Sequence, residues 1–407
     1  MQQIRAFKTF QKFNFEMFMN TINKFFALTI MACAVSSSWA ADQIKIGFLA
    51  TASGGPTIAV SKEIRAGFDM AIKQLGGKVG GLPVEVVSGD DQGNPEVGKQ
   101  VFDRMVKRDK IDLLTGLVAS GVINAVSPLA AQQQVFYINS NVGPKDFGGA
   151  KCSPYYFNTG WNIVATNEAM GKWVSSAGYK KVYILGVGVP VGREHLDAFK
   201  KTYTGTIVGE TYFKPQTLDF SAELAQIRAA QPDAVYAFAF GPLSINLTKQ
   251  YAQAGLKSIP LIGTAPLADE DVIASVGEPV SGVVSGGHWS LDLPNEANKQ
   301  FSNSFLKEYR RPASMYNEQG YTTIMVIDAA VKSVNGKIED KAAFRKALES
   351  VKLDTPRGPF KFNVDHSPIQ NNYLRKVLKS NSGELFNQTQ KTIGVANVAS
   401  DAASCKM

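Results

Sequence analysis

Short apolar runs rich in β-branched residues alternate with amphipathic helical patterns along most of the chain, and this alternation limits the possible folds more than any other feature. The first run, IKIGFLA at residues 44–50, precedes a helical pattern in SKEIRAGFDMAIKQLGG, and the next run begins at residue 83. Strands that recur roughly every 20–30 residues with a helix between them form parallel βαβ units. The sequence therefore predicts an α/β fold with parallel sheets.

The alternation occurs in two series, separated by an irregular stretch at residues 141–161. Strands are predicted in the first series at residues 44–50, 83–88, 112–115 and 135–138, and in the second at 181–185, 206–213, 234–240 and 260–263. Later helices are predicted at 296–309, 319–334 and 341–351, and closing strands at 360–363 and 373–379. We therefore predict two α/β lobes in series.

The first 40 residues have the pattern of a secretory signal peptide. A basic start precedes the apolar run FFALTIMACAV, and Ser38-Trp39-Ala40 places small residues at the −3 and −1 positions of a signal-peptidase site. The apolar run is too short to span a membrane. We predict cleavage after Ala40 and a periplasmic protein, with translation starting at Met1 or Met19. A lipoprotein box at residues 30–33 is the alternative.

Composition and cysteine usage limit the partners and cofactors. The net charge is +8, but the basic residues are scattered rather than gathered in a stripe, so nucleic-acid binding is not expected. Cys152 and Cys405 remain after export, and two thiols in an oxidising compartment usually pair, so we predict a disulfide between them. The three histidines do not occur at ligand spacing, and we expect neither a metal nor a cofactor.

The stretch VYILGVGVPVG at residues 182–192 is similar to a dinucleotide-binding turn. Its glycines follow a G-x-G-x-x-x-G spacing, with one residue more than the nucleotide fingerprint, and Pro190 lies in the turn. We interpret it as a loop at the carboxyl end of a parallel strand, where open α/β sheets bind ligands. No catalytic motif is present, and the adjacent Asp90 and Asp91 lie in a turn, so we predict no enzymatic activity and no catalytic residue.

Several segments, in order over nearly the whole exported chain, resemble one family. They are IKIGFLATASGGP, RAGFDMAIKQLGG, VVSGDDQGNPEVGKQVFDRMVKR, LDFSAELAQIRAAQPDAVYAF and RGPFKFNVDHSPIQNNYLRKV. This set resembles the type I periplasmic solute-binding proteins of ABC importers, the leucine/isoleucine/valine-binding family. CSPYYF and the tail SCKM are most similar to its branch linked to aromatic acids.

The resemblance implies two Rossmann-like lobes with parallel sheets, joined by a three-strand hinge, with the ligand between lobes that close on it. Lobe 1 would comprise residues 41–158 plus 290–360, and lobe 2 residues 159–289 plus 361–407. The crossovers are expected near residues 156–161, 287–291 and 360–365. The disulfide would then fasten the tail near the hinge.

The resemblance also implies where a carboxylate ligand binds. Ser120 and Gly121, in GLVASG, match the family's first carboxylate-holding loop, and Asn141 and Gly143, in NSNVG, match the second. Hydroxyls and backbone N–H groups at helix N-termini supply the donors that such a ligand needs. A plain helix N-cap is the alternative role for Ser120, and a ligand-free Asx-turn is the alternative for Asn141.

Positions at which this chain differs from the family's amino-acid-binding members indicate the kind of ligand that it binds. Where those proteins have tyrosines around the ligand and an acid that holds the ammonium, this chain has Val60, Val191, Phe240 and, for the acid, Ala265. A buried ammonium without a counter-charge is costly. We therefore expect a ligand with one anionic end and an apolar body.

Other residues near the expected cleft are weaker candidates. Arg193 could pair with an anion, and Asp269 or Glu270 could replace the missing acid. Aromatic side chains could stack on a flat ring; these candidates are Trp161, Phe238, Phe240, His288 and Trp289.

The expected function is capture of a small carboxylate, with an aromatic acid favoured, and delivery to an ABC permease in the inner membrane. The alternatives are a branched-chain or aromatic amino-acid-binding protein of the same transport class, and a periplasmic ligand sensor. We expect a monomer.

Overall fold

The computed structural model describes residues 43–395 and 404–407. The predicted signal peptide lies outside the described residues. The strands are β1 Ile44–Ala50, β2 Lys78–Val79, β3 Leu82–Asp90, β4 Leu113–Thr115, β5 Phe136–Asn139, β6 Tyr156–Asn158, β7 Lys181–Val187, β8 Thr206–Phe213, β9 Ala234–Phe238, β10 Leu261–Thr264, β11 Val284–Gly287, β12 Lys352–Thr355, β13 Gly358–Phe362, β14 Pro368–Ile369, β15 Asn371–Lys379 and β16 Leu385–Val395.

The helices are α1 Ile58–Gln74, α2 Pro95–Arg104, α3 Ser120–Gln132, α4 Ile163–Ser176, α5 Pro190–Lys200, α6 Ser221–Ala230, α7 Pro242–Gln253, α8 Glu270–Val276, α9 Glu296–Tyr309, α10 Met315–Ser333 and α11 Lys341–Glu349. In the described ranges no helix is long and apolar enough to cross a membrane.

The first sheet has six strands in the order β2-β3-β1-β4-β5-β6. From β3 to β6 every neighbouring pair is parallel, and β2 adds an antiparallel hairpin at one edge. Helices α1 and α10 cross closely on one face, and two glycines permit this approach. A methyl group on Gly67 would clash with the Asn317 carbonyl, and one on Gly320 would clash with the Ile64 carbonyl. This close crossing buries apolar side chains of both helices in one core cluster.

The second sheet has seven strands in the order β16-β15-β11-β10-β9-β7-β8. Strands β7 to β11 are parallel, whereas β15 and β16 are antiparallel to their neighbours. Apolar residues pack in a separate cluster on each face of this sheet. The predicted α/β fold with two lobes built on parallel sheets is therefore confirmed.

The chain passes between the two sheets three times. It leaves the first sheet after β6, returns after β11 through α9 to α11, and enters the second sheet again between β14 and β15. Residues 358–369 form a small antiparallel sheet with β12, and Gln370 joins this sheet to β15 of the second sheet. The lobe boundaries given above stay a prediction.

A cluster of buried polar side chains connects the three passages, and we call Arg357, Glu318, His288 and Gln370 the hinge cluster. The Arg357 guanidinium pairs with Glu318 (Nε to Oε1, 2.9 Å) and donates to the carbonyl of Thr159 (2.8 Å) and to Gln370 Oε1 (2.9 Å). His288 Nε2 lies 3.2 Å from Glu318 Oε2. One ion pair therefore contacts all three passages.

The C-terminal tail is attached covalently to the first half of the chain. Cys152 and Cys405 form a disulfide with their Cα atoms 5.5 Å apart, although 253 residues separate them in sequence. Cys152 lies in the loop between β5 and β6. The tail is thus fastened next to the strand from which the first passage begins.

Candidate functional site

A cavity of about 280 Å³ lies between the two sheets. Its size is close to the lower end of the range of about 300–1,000 Å³ for pockets that hold drug-sized ligands, so it suits a small solute. The lining residues come from loops and helix starts near the carboxyl ends of the strands of both sheets; they are Pro56, Thr57, Val60, Gly93, Val118, Ala119, Ser120, Gly121, Asn124, Asn141, Val142, Gly143, Pro144, Trp161, Val187, Val189, Pro190, Val191, Glu194, Pro215, Phe238, Phe240, Pro266 and Tyr316.

The N-terminus of α3 supplies hydrogen-bond donors on the first-sheet side. The first bonds of this helix run from the N–H groups of Val122 (2.9 Å) and Ile123 (3.0 Å) to the carbonyl of Ala119. The N–H groups of Ser120 and Gly121 precede these bonds and have no carbonyl of their own helix to bond. Together with the helix dipole they favour an anion. Ala119 occupies the N-cap, so Ser120 does not have that alternative role.

The loop after β5 is held by Asn139, not by Asn141. The Asn141 N–H donates to Asn139 Oδ1 (3.2 Å), and Asn139 Nδ2 donates to the carbonyl of Asn141 (2.8 Å). The Asx-turn of this loop is thus made by Asn139. The Oδ1 atom of Asn141 is buried and has no hydrogen-bond partner among the described residues. At Gly143 a methyl group would clash with the Tyr156 hydroxyl, so a larger residue there would require the Tyr156 side chain to move.

The glycine-rich turn after β7 forms the wall on the second-sheet side. Val187, Val189 and Val191 line the cavity, and a methyl group on Gly192 would clash with the carbonyl of Val187. Phe238 and Phe240, from the end of β9, add aromatic surface. This wall is apolar and suits the body of a ligand rather than its charged end.

Glu194 contributes a charge to the lining. Among the lining residues, all of which the structure describes, it is the one with a charged side chain. Its Oε2 accepts a hydrogen bond from the Lys145 N–H (3.2 Å), and burial raises the pKa of its carboxyl above the usual value. The sequence analysis missed this residue. Its position three residues after Val191, on the same face of α5, was the signal that could have indicated it.

Two predicted site residues lie outside the lining. The Arg193 guanidinium stacks over the ring of Tyr212, 4.2 Å from its centroid. Ala265 is fully buried, and its carbonyl accepts a hydrogen bond from Arg375 Nη2 (3.3 Å). The other predicted ligand residues do line the cavity; they are Ser120, Gly121, Asn141, Gly143, Val191 and Phe240.

The alternative acids near Ala265 are bound to other parts of the protein. Asp269 pairs with Arg375 (3.2 Å) and accepts the Met315 N–H at the start of α10 (2.7 Å). Glu270 Oε1 accepts from Asn387 Nδ2 (3.1 Å). Neither acid lines the cavity.

The remaining polar groups contribute little that could hold a metal. No group of three or more His, Cys, Asp or Glu side chains is placed to hold an ion within residues 43–395 and 404–407. Two of the aromatic candidates from the sequence, His288 and Trp289, do not line the cavity. His288 belongs to the hinge cluster, and the Trp289 indole N–H donates to Asn298 Oδ1 (2.7 Å).

Comparison with known proteins adds to this geometry. A family model described as periplasmic binding protein matches residues 43–383. A Leu/Ile/Val-binding protein homolog 6 of Brucella melitensis is 28% identical over 376 residues, which cover 90% of this chain and 95% of that protein.

Two solved structures are also similar. An ABC transporter solute-binding protein from R. palustris in complex with benzoate is 31% identical with a TM-score of 0.84, covering 90% of this chain and all of that one. Another, from Rhodopseudomonas palustris BisB5 in complex with 3,4-dihydroxybenzoic acid, is 29% identical with a TM-score of 0.83, covering 89% of this chain and all of that one.

Proposed function

This chain belongs to the periplasmic binding protein family, and from that premise we propose that it is the solute-binding component of an ABC importer. It captures a small carboxylate between its lobes, with an aromatic acid favoured, and delivers it to a permease in the inner membrane. The similar R. palustris proteins, solved with benzoate and with 3,4-dihydroxybenzoic acid, support this ligand class.

The observation that carries the proposal is that one small cavity has hydrogen-bond donors on one side and aromatic rings on the other. The N–H groups of Ser120 and Gly121, which have no carbonyl of their own helix to bond, lie on the first-sheet side, and Phe238 and Phe240 lie on the second-sheet side. A carboxylate can accept hydrogen bonds from the N–H groups, and a flat ring can pack on the two phenylalanine rings. Closure of the lobes by a hinge motion would remove both from water.

Further parts of the proposal concern the protein's place in the cell. The chain is exported, its signal peptide is removed after Ala40, and it acts in the periplasm as a monomer. It catalyses no reaction and binds no nucleic acid. The periplasmic location follows from membership of this family.

An amino-acid ligand is the second candidate, and one observation favours it. Glu194 is a lining carboxylate that could pair with an ammonium group, and the Brucella relative is named as a Leu/Ile/Val-binding homologue. Against it, the two similar solved proteins hold benzoate and 3,4-dihydroxybenzoic acid. We therefore rank the aromatic carboxylate first.

A thermal-shift screen tests the proposed function. Benzoate and 4-hydroxybenzoate should raise the melting temperature, because a ligand at 100 times its Kd adds about 2.7 kcal/mol to stability. Leucine and phenylalanine at the same concentration should not. Stabilisation by leucine alone would contradict the aromatic-acid proposal while leaving the transport class intact.

Replacing Glu194 with glutamine separates the two ligand classes. Because the change removes a carboxyl that repels anions, Glu194→Gln should bind benzoate up to about fivefold more tightly, equivalent to about 1 kcal/mol. Isothermal titration calorimetry measures this, with Glu308→Gln on the exposed side of α9 as the control that leaves affinity unchanged. Weaker benzoate binding by Glu194→Gln would overturn the assignment of Glu194 as a repelling group.

A further inference from the structure

Trp161 lines the cavity and carries a buried hydrogen-bond donor. The side chain lines the cavity and is 1% exposed, yet its indole Nε1–H has no hydrogen-bond partner among the described residues. Leaving a buried donor unpaired is costly, so such a group in a binding cavity indicates a partner that arrives with the ligand. Its backbone is fixed, because Asn158 Nδ2 donates to the carbonyl of Trp161 (3.2 Å).

This donor lies apart from the α3 N-terminus. Ser120 follows β4, Asn141 follows β5 and Trp161 follows β6, and these strands are consecutive neighbours in the first sheet. Neighbouring strands are about 4.8 Å apart, so the ends of β4 and β6, from which the chain leads to Ser120 and Trp161, are about 10 Å apart along the sheet edge. A single carboxylate cannot bridge that separation. The two donors therefore suit two different oxygen groups of one ligand.

The rings next to Trp161 are neutral, whereas the Arg357–Glu318 ion pair of the hinge cluster contacts the adjacent Gly160 carbonyl. Its ring lies against His195, with centroids 5.3 Å apart, and His195 stacks on Phe238 at 3.6 Å. Asn167 Oδ1 accepts from the Tyr236 hydroxyl, and Asn167 Nδ2 donates to the Ile163 carbonyl, so the same Nδ2 must donate to His195 Nδ1. The imidazole is then the neutral Nε2–H tautomer, and burial lowers its pKa well below the usual value.

The type of oxygen group follows from these neighbours. Because no cationic side chain lines the cavity, a second carboxylate would be buried there without a counter-charge. A hydroxyl is neutral and can accept from one group while donating to another. The buried Asn141 Oδ1 is an unpartnered acceptor in the same lining.

We propose that Trp161 is a specificity-determining residue whose indole N–H binds a ring hydroxyl of the solute, so that the protein selects hydroxylated aromatic acids over unsubstituted ones. This inference rests on the proposed function and narrows its ligand class. His195 is a positioning residue that holds the indole in place.

Trp161→Phe keeps a ring at this position and removes the donor. Measured by isothermal titration calorimetry, the variant should bind 4-hydroxybenzoate about tenfold more weakly, whereas benzoate affinity should change less than about threefold. The unaltered protein should bind 4-hydroxybenzoate more tightly than benzoate, and terephthalate more weakly than 4-hydroxybenzoate. Trp173→Phe, the same change at a tryptophan of α4 outside the cavity, should leave both affinities unchanged.

The informative quantity is the ratio of the affinities for 4-hydroxybenzoate and benzoate. If Trp161 had only a structural role, its replacement would not change this ratio. If Trp161→Phe weakens both ligands equally, or neither, the inference is overturned while the proposed function stands. If the unaltered protein binds neither benzoate nor 4-hydroxybenzoate, the proposed function fails and the inference fails with it.

Discussion

Replacing Arg357 with methionine should lower the free energy of unfolding by about 3–5 kcal/mol, because the change leaves the buried Glu318 carboxylate without its partner. It also removes the donor to the carbonyl of Thr159 and to Gln370. These groups belong to different passages between the sheets, so the variant should lose contacts on both sides of the hinge at once. Urea denaturation followed by circular dichroism measures the loss.

A matched control distinguishes this buried pair from an ordinary one. Arg311→Met breaks the pair of Arg311 with Glu63, in which the arginine side chain is 39% exposed, and should cost less than about 1 kcal/mol. The double variant Arg357→Met with Glu318→Leu should recover part of the stability that Arg357→Met loses, because no unpaired charge remains. Equal losses for Arg357→Met and Arg311→Met would contradict the role given to the hinge cluster.

Acidification from pH 6.5 to pH 2 should destabilise the protein by several kcal/mol through the same cluster. Burial and the nearby Arg357 charge lower the pKa of His288 to about 4. The unfolded chain therefore takes up this proton first, and stability falls as the pH drops from 6.5 to 4. Burial alone would raise the pKa of Glu318, but Arg357 and the hydrogen bond from His288 lower it to about 2. Its contribution is lost between pH 4.5 and 2.

His288→Gln isolates the histidine part of this dependence. Glutamine can still donate to Glu318 but does not titrate, so the variant should lose about 3 kcal/mol less than the unaltered protein between pH 6.5 and 4. The measurement is the unfolding free energy from urea titrations at several pH values. The same decline in both proteins would show that His288 is not the group responsible.

Much of the fold was predictable because apolar runs with clear boundaries form its elements. The strand Ile44–Ala50 and the helix Glu296–Tyr309 match their predictions to the residue. The elements that were not predicted have weak patterns. Strand β11 reads VSGG, with two glycines that have low strand propensity, and β16 has polar residues along most of its exposed length.

Helix starts were less predictable than strands. Helix α10 begins at Met315 rather than at residue 319, because Ser314 and Asn317 form a capping box. Helix α2 ends at Arg104 and continues as a π-helical turn over Met105–Asp109. Local side-chain capping determines these ends, and apolar periodicity carries little information about it.

The cavity was predictable on its first-sheet side and less so on the second. The loops after β4 and β5 were expected to place their residues together, and Ser120, Gly121, Asn141 and Gly143 line one cavity. Tyr316 could not be expected there, because it reaches the cavity from α10, far along the chain. Nor did the sequence indicate that Asp269 would form an ion pair with Arg375, because the two residues are far apart in the chain and meet only in the folded second sheet.

The most direct test of the account is a crystal structure of the protein with 4-hydroxybenzoate. We expect the ligand between the two sheets, with a carboxylate oxygen within about 3.2 Å of the backbone nitrogen of Ser120 or Gly121 and the ring against Phe238 and Phe240. A ligand bound outside this cavity, or one whose carboxylate lies against Glu194 instead of the α3 N-terminus, would contradict the central claim.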